Sequence, residues 1–193
     1  LPDYITQNIN PKFSIRDYQA EALNRFDFYL NGYKKRLKPT HLLFEMATGS
    51  GKTLVMAGCI LNLYQKGHRN FIFFVNSTNI IEKTKDNFLN PASGKYLFHS
   101  QIQFGDKMVA IKQVENFANA DDDCINIHFT TIQGLHSRLN TPKENALTFE
   151  DFENRNVVLL SDEAHHMNVD TLRNQGKQLS IKEFEEYDSW EGT

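Results

Sequence analysis

Two rhythms of apolar residues run along the chain, and they predict different elements. Tyr18, Ala22, Leu23, Phe26 and Leu30 keep helical spacing and predict a helix to about Tyr29, with Ser14 or Asp17 as its cap. Four apolar residues between His41 and Met46 predict a buried strand, and Lys52 to Ala57 begins a helical pattern that Gly67 ends. Phe71 to Val75 is a continuous apolar run, as in strands buried on both faces. Asn76 to Asn79 then offers caps for a helix over Ile80 to Leu89, closed by Asn90 and Pro91. Ile125 to Thr131 alternates as a strand does, a short helix to Leu139 follows, and Val157 to Leu160 has the most buried strand pattern. Strands alternating with helices predict an α/β fold with right-handed crossovers and a mainly parallel sheet.

Between these elements the pattern is weaker. Residues 1–12 are polar with two prolines and predict a lead-in with little regular structure. The basic tract Lys34 to Lys38 reads as a solvated link. Gln101 to Phe104 and Met108 to Ile111 look like strands, whereas Val114 to Ala118 could be helical. Asp121 to Asp123 lacks the ligand spacing of a calcium loop and reads as a turn. Thr141 to Asn156 predicts a surface excursion, and the stretch beyond Asn168 is mostly charged.

The candidate chemistry sits where the predicted strand at His41 meets the helix at Lys52. Gly49 and Gly51 in the turn Thr48 to Gly51 permit positive φ and let a polyphosphate approach the backbone N–H groups. The helix opening at Lys52 adds its free N–H donors and its dipole to the same anion. In such a loop Lys52 reaches the β- and γ-phosphates and the Thr53 hydroxyl ligates Mg²⁺. Asp162 and Glu163 leave the carboxyl end of a predicted strand, where α/β sheets place their ligands. The first suits the metal shell and the second suits activation of the attacking water. His165 fits a coupling or hydrogen-bonding role near the γ-phosphate, and His166 an orienting one; adjacent histidines without a nearby cysteine do not make a zinc site.

Bulk properties narrow the partners. The 193 residues, 40% hydrophobic and 23% charged, have the composition of an ordinary globular domain, with no apolar run of membrane-spanning length. Leu1 at the start and Glu191-Gly-Thr193 at the end suggest a piece of a larger protein. Two cysteines without paired or metal-type spacing, and no signal peptide, suit a reducing cytoplasm. A net charge of −3 implies that any nucleic-acid contact is local and uses backbone groups and hydroxyls as well as cations.

Met46 to Thr53 together with Asp162-Glu-Ala-His165 resembles motifs I and II of the superfamily 2 helicases and translocases, the DEAD/DEAH-box group. Met46, where the general phosphate-loop pattern has glycine, and the second histidine after the box look most like the motor subunits of type III restriction enzymes and their type I relatives. Arg16-Asp-Tyr-Gln19 resembles the adenine-reading segment, Phe73 to Thr78 resembles motif Ia, and Thr130 to Gly134 resembles the Ib/Ic region.

The resemblance implies a three-layer RecA-like P-loop NTPase domain over residues 13–193, the first of two such domains. It implies ATP and Mg²⁺ as cofactors. Arg16, Gln19, Thr48, Gly49, Ser50, Gly51, Lys52 and Thr53 would surround the nucleotide, and Thr53 and Asp162 the metal. Lys52, Asp162, Glu163 and His165 would serve catalysis. Asn76, Ser77, Thr78, Thr130, Thr131 and Gln133 would meet the nucleic-acid backbone. The implied partners are duplex DNA, the second RecA-like domain, a nuclease domain and a methyltransferase subunit. The implied activity is that of a DNA-dependent ATPase and translocase within a type III restriction endonuclease. A type I restriction motor, or another DEAD/DEAH-box DNA or RNA helicase, shares the same motifs, whereas a P-loop ATPase or kinase without nucleic acid leaves Gln19 and the Thr130–Gln133 segment unexplained. Segments resembling motif III and the arginines of motif VI do not occur in these residues.

Overall fold

The computed structural model describes residues 1–34, 40–75, 77–118, 120–140, 147–148, 152 and 155–162. Eleven elements follow in order: α1 (Asp3–Thr6), α2 (Asp17–Asn31), α3 (Lys52–Gln65), β1 (Asn70–Val75), α4 (Thr78–Leu89), β2 (Ile102–Phe104), β3 (Lys107–Val109), β4 (Ile111–Gln113), β5 (Ile125–Thr131), α5 (Ile132–Asn140) and β6 (Val158–Ser161). β4, β5, β1 and β6 form one sheet in that order, with every pairing parallel. β2 and β3 make a separate antiparallel hairpin. Among the described residues no helix is long and apolar enough to cross a membrane.

The period of two along β1 and β5 divides the molecule into three layers. Phe71, Phe73 and Val75, with Ile125, Ile127 and Phe129, face a large core built with α1, α2, α3 and α4. Ile72 and Phe74 face the other way and pack with Phe117, Leu147 and the α5 residues Leu135 and Leu139. The phenylalanine run of β1 is wholly buried because both faces are covered. α3 is apolar nearly all round and is buried from Leu54 to Tyr64 apart from Met56, so packing fixes its direction.

Several expectations need correction. Residues 41–46 join no strand; Leu42 and Leu43 are exposed, Leu43 at 81%, while Phe44 and Met46 lean on the large core. Strand-like alternation survives there, but a strand exists only where a neighbouring backbone completes its hydrogen bonds, and a single segment does not specify that neighbour. The lead-in is also more ordered than its polarity suggested. It forms the single turn α1, buries Ile5 and Ile9, and bridges Ile9 to Phe98. Asn8 locks it in place by donating to Tyr4 O and Gln103 O and accepting from Gln103 N. Residues 114–118 form no helix. β6 is less buried than its apolar run implied, with Leu159 48% exposed, because β1 is its one strand partner among the described residues. Of the basic tract, Lys35 to Lys38 lie outside the described residues, as does the charged stretch beyond Asn168.

Candidate nucleotide and nucleic-acid site

The turn ahead of α3 has the backbone shape that its glycines allow. Ser50 N donates to Ala47 O, Gly49 has φ 75° and Gly51 has φ 84°, the latter as the N-cap of α3. A Cβ added to Gly49 would meet no heavy atom within 4 Å, so the loop mouth is open there. A Cβ on Gly51 would lie 2.4 Å from Gln19 Nε2, so the α2 side of the loop is closely packed. Lys52 turns back over the loop, its Nζ donating weakly to Met46 O (3.3 Å) and Ala47 O (3.4 Å). The Ser50 hydroxyl is buried without a hydrogen-bond partner.

α2 holds the loop from the other side. Arg16 caps α2, its backbone N donating to Gln19 Oε1. Gln19 Nε2 and Tyr18 Oη both donate to Ser50 O at 2.8 Å, and Arg16 Nη1 donates to Tyr18 Oη. Gln19 is only 3% exposed and both ends of its amide are engaged inside the chain, so in this conformation it braces the loop and presents no free edge to an adenine. The sequence placed Tyr18 among the apolar positions of α2, not at the site, yet it is 42% exposed and its hydroxyl reaches Ser50 O. Its signal was its place beside Gln19, but its bond to a carbonyl 32 residues away follows only from the fold.

The other candidate residues gather by topology. Parallel pairing puts the ends of β1, β5 and β6 along one rim, with Val75 beside Thr131 and Phe74 beside Ser161. Asp162 follows β6 there, its N–H donating to Phe74 O. The short turn from α3 into β1 reverses the chain, so α3 opens toward this same rim. Ser77, Thr78 and Gln133 are exposed. Thr130 is buried, and the Thr131 hydroxyl accepts from Gly134 N as a cap on α5. Asn76, Glu163, His165 and His166 lie outside the described residues.

Beneath α5 is a polar cluster that the sequence did not announce. His128 Nδ1 faces Val114 O at 2.9 Å, which makes it the donor and leaves Nε2 to accept from Arg138 Nη1 at 3.2 Å. Arg138 also pairs with Glu115. Burial pushes the His128 imidazole below its ordinary value, and Arg138 adds to this, while the Val114 carbonyl works against it.

The residues present fit a magnesium–nucleotide pair. Two left-handed glycines, an orphaned hydroxyl and a lysine lodged on neutral carbonyls surround the loop mouth. Among the described residues no group of three His, Cys, Asp or Glu side chains forms a metal cage of its own.

Residues 12–188 match the family model described as type III restriction enzyme, res subunit. The chain is 40% identical over 188 residues to the probable type III restriction-modification enzyme HindVIP Res subunit of Haemophilus influenzae. That alignment covers 94% of this chain and 36% of the relative, so the chain spans about a third of that protein's length. No solved structure gives a significant match. The chain belongs to the family of type III restriction enzyme res subunits.

Proposed function

We propose that this chain is the ATP-binding part of a DNA-dependent ATPase and translocase that serves a type III restriction endonuclease. The observation that carries the reading is the phosphate loop: Gly49 and Gly51 in left-handed conformations, directly ahead of a buried helix that begins with Lys52 and Thr53. Bound MgATP would supply the scissile γ-phosphate bond and the cation. The backbone N–H groups of residues 49–53 would bind phosphate oxygens, and Lys52 would exchange its weak carbonyl contacts for a charge-assisted one. Thr53 and Asp162 would hold the metal, Glu163 would take the proton of the attacking water, and His165 would sense the γ-phosphate. Arg16 and Gln19 would then act chiefly by fixing Ser50.

Ser77, Thr78 and Gln133, exposed on the rim, would meet the nucleic-acid backbone with neutral groups, together with Asn76 and Thr131, whereas Thr130, buried with its hydroxyl donating to Thr131 O, would act by shaping the turn. The family assignment favours duplex DNA, a second RecA-like domain, a nuclease domain and a modification subunit as partners, in the cytoplasm.

Titration calorimetry and steady-state phosphate release on the full-length protein test the reading. Lys52→Ala is expected to weaken MgATP binding at least tenfold, since a charge-assisted hydrogen bond is worth roughly 1.5–3 kcal/mol. Glu163→Gln is expected to bind MgATP normally and to lose DNA-stimulated turnover. Equal affinity of Lys52→Ala and wild type would overturn the nucleotide assignment; full turnover in Glu163→Gln would move the base elsewhere.

A further inference from the structure

Away from the loop rim, where β1 begins, a cavity of about 310 Å³ is lined by Gly67, Arg69, Asn70, Asp122, Arg155 and Asn156. Its two arginines differ from Arg25 and Arg138, which pair with Glu21 and Glu115. Arg69 donates only to backbone oxygens, of Tyr64 (2.7 Å), His68 (3.0 Å) and Asp122 (2.9 Å), and its guanidinium lies 3.8 Å from the centroid of the Tyr64 ring. Arg155 Nη2 donates to Ala118 O at 3.1 Å. Among the described residues neither makes an ion pair with a carboxylate; both guanidinium groups donate to backbone carbonyls, and Asp122 is the one carboxylate of the lining. Asn70 Nδ2 donates to Arg155 O and ties the two sides of the cavity together.

The lining also limits what can bind. Among the described residues it has no aliphatic or aromatic side chain to face a base or an acyl chain. What it offers is charge and amide donors, the chemistry of oxyanion recognition by planar guanidinium forks. The nearby C-terminal end of α3 would repel an anion through its dipole, but Arg69 already caps the Tyr64 carbonyl of that last turn. α3 has 14 residues, so about 21 Å of helix separates this cavity from the phosphate loop.

We propose that this cavity binds a phosphate group, at a site separate from the nucleotide site. Asp122 lowers the net charge of the lining and makes the site weak and exchangeable. The phosphate comes either from a nucleic-acid backbone or from free phosphate, and the two sources differ in their salt response. The proposal does not depend on the nucleotide assignment.

The test is calorimetric titration of inorganic phosphate into the full-length protein carrying Lys52→Ala, which leaves this cavity intact. In that background Arg155→Gln is expected to weaken phosphate binding about tenfold, as loss of one charge-assisted contact does. Asp122→Asn is expected to tighten it, a gain that unfolding cannot mimic, while its backbone contact to Arg69 remains. Equal phosphate affinity with and without Arg155→Gln, or no tightening in Asp122→Asn, would overturn the proposal. A second arm measures duplex-DNA affinity against salt. A log–log slope that becomes shallower by about 0.9 in Arg155→Gln identifies a backbone phosphate as the ligand. An unchanged slope alongside the lost phosphate affinity identifies free phosphate.

Discussion

β1 and the segment 40–51 lie close in sequence and differ in almost every physical respect. β1 has strands on both sides, covered faces above and below, and no exposed residue. Residues 41–46 belong to no strand among the described residues, and identifiable contacts hold this stretch and the loop after it: Phe44 against Phe26, and Ser50 O between Tyr18 and Gln19. Stability is concentrated in the sheet, and adaptability in the segment that carries the candidate chemistry. Such a division is what ligand-binding loops require, since they must rearrange at a cost lower than global unfolding.

The contrast can be broken most severely at Phe73, which is fully buried and packs edge-on against Phe88 and obliquely against Phe129. Phe73→Ala is expected to cost about 3–5 kcal/mol, read as a drop in the urea midpoint. Gly51→Ala acts on the other region. A left-handed alanine costs about 1–2 kcal/mol, and its Cβ would also displace the Gln19 amide. Urea unfolding together with MgATP titration should therefore show a modest loss of stability and a larger loss of nucleotide affinity.

A graded test uses pH. The folded state holds His128 neutral, below its ordinary 6.5, whereas the unfolded chain takes up the proton at the ordinary value. The contribution is therefore full above pH 6.5 and is lost as pH falls through the lowered folded value. Urea midpoints between pH 5 and 8 should fall on the acid side in wild type, with a shallower dependence in His128→Gln. The smallest effect is expected at Leu43, where exposure leaves little to lose: Leu43→Ser should change stability by no more than about 0.5 kcal/mol by the same measurement.

The sequence was most legible where a signal is local. The apolar run of β1, the alternation of β5 and the glycines before Lys52 each depend on neighbours a few positions away. What could not be read depends on distant partners. Ile5 and Ile9 become core residues because Asn8 meets Gln103 across 95 positions. Gln19 faces inward because Ser50 offers it a carbonyl. The apolar run at 41–46 predicted a strand, but no periodicity states which edge will receive it. His128 looked like one more polar position on an alternating strand, and only the arrival of Arg138 from α5 and Val114 from the preceding connection makes it a titrating element.

The exposed Leu159 on β6 carries a consequence for handling the protein at high concentration. Among the described residues β6 is paired on one side, and an edge of that kind can pair with another extended peptide, a second molecule of the same chain included. Self-association through that rim would bury Leu159 and grow with concentration. Because it would be built from amide hydrogen bonds and a leucine rather than from ion pairs, added salt would do little to disperse it. A lysine in place of Leu159 puts a charge where a second strand would have to settle, the means by which natural sheets keep such rims solitary.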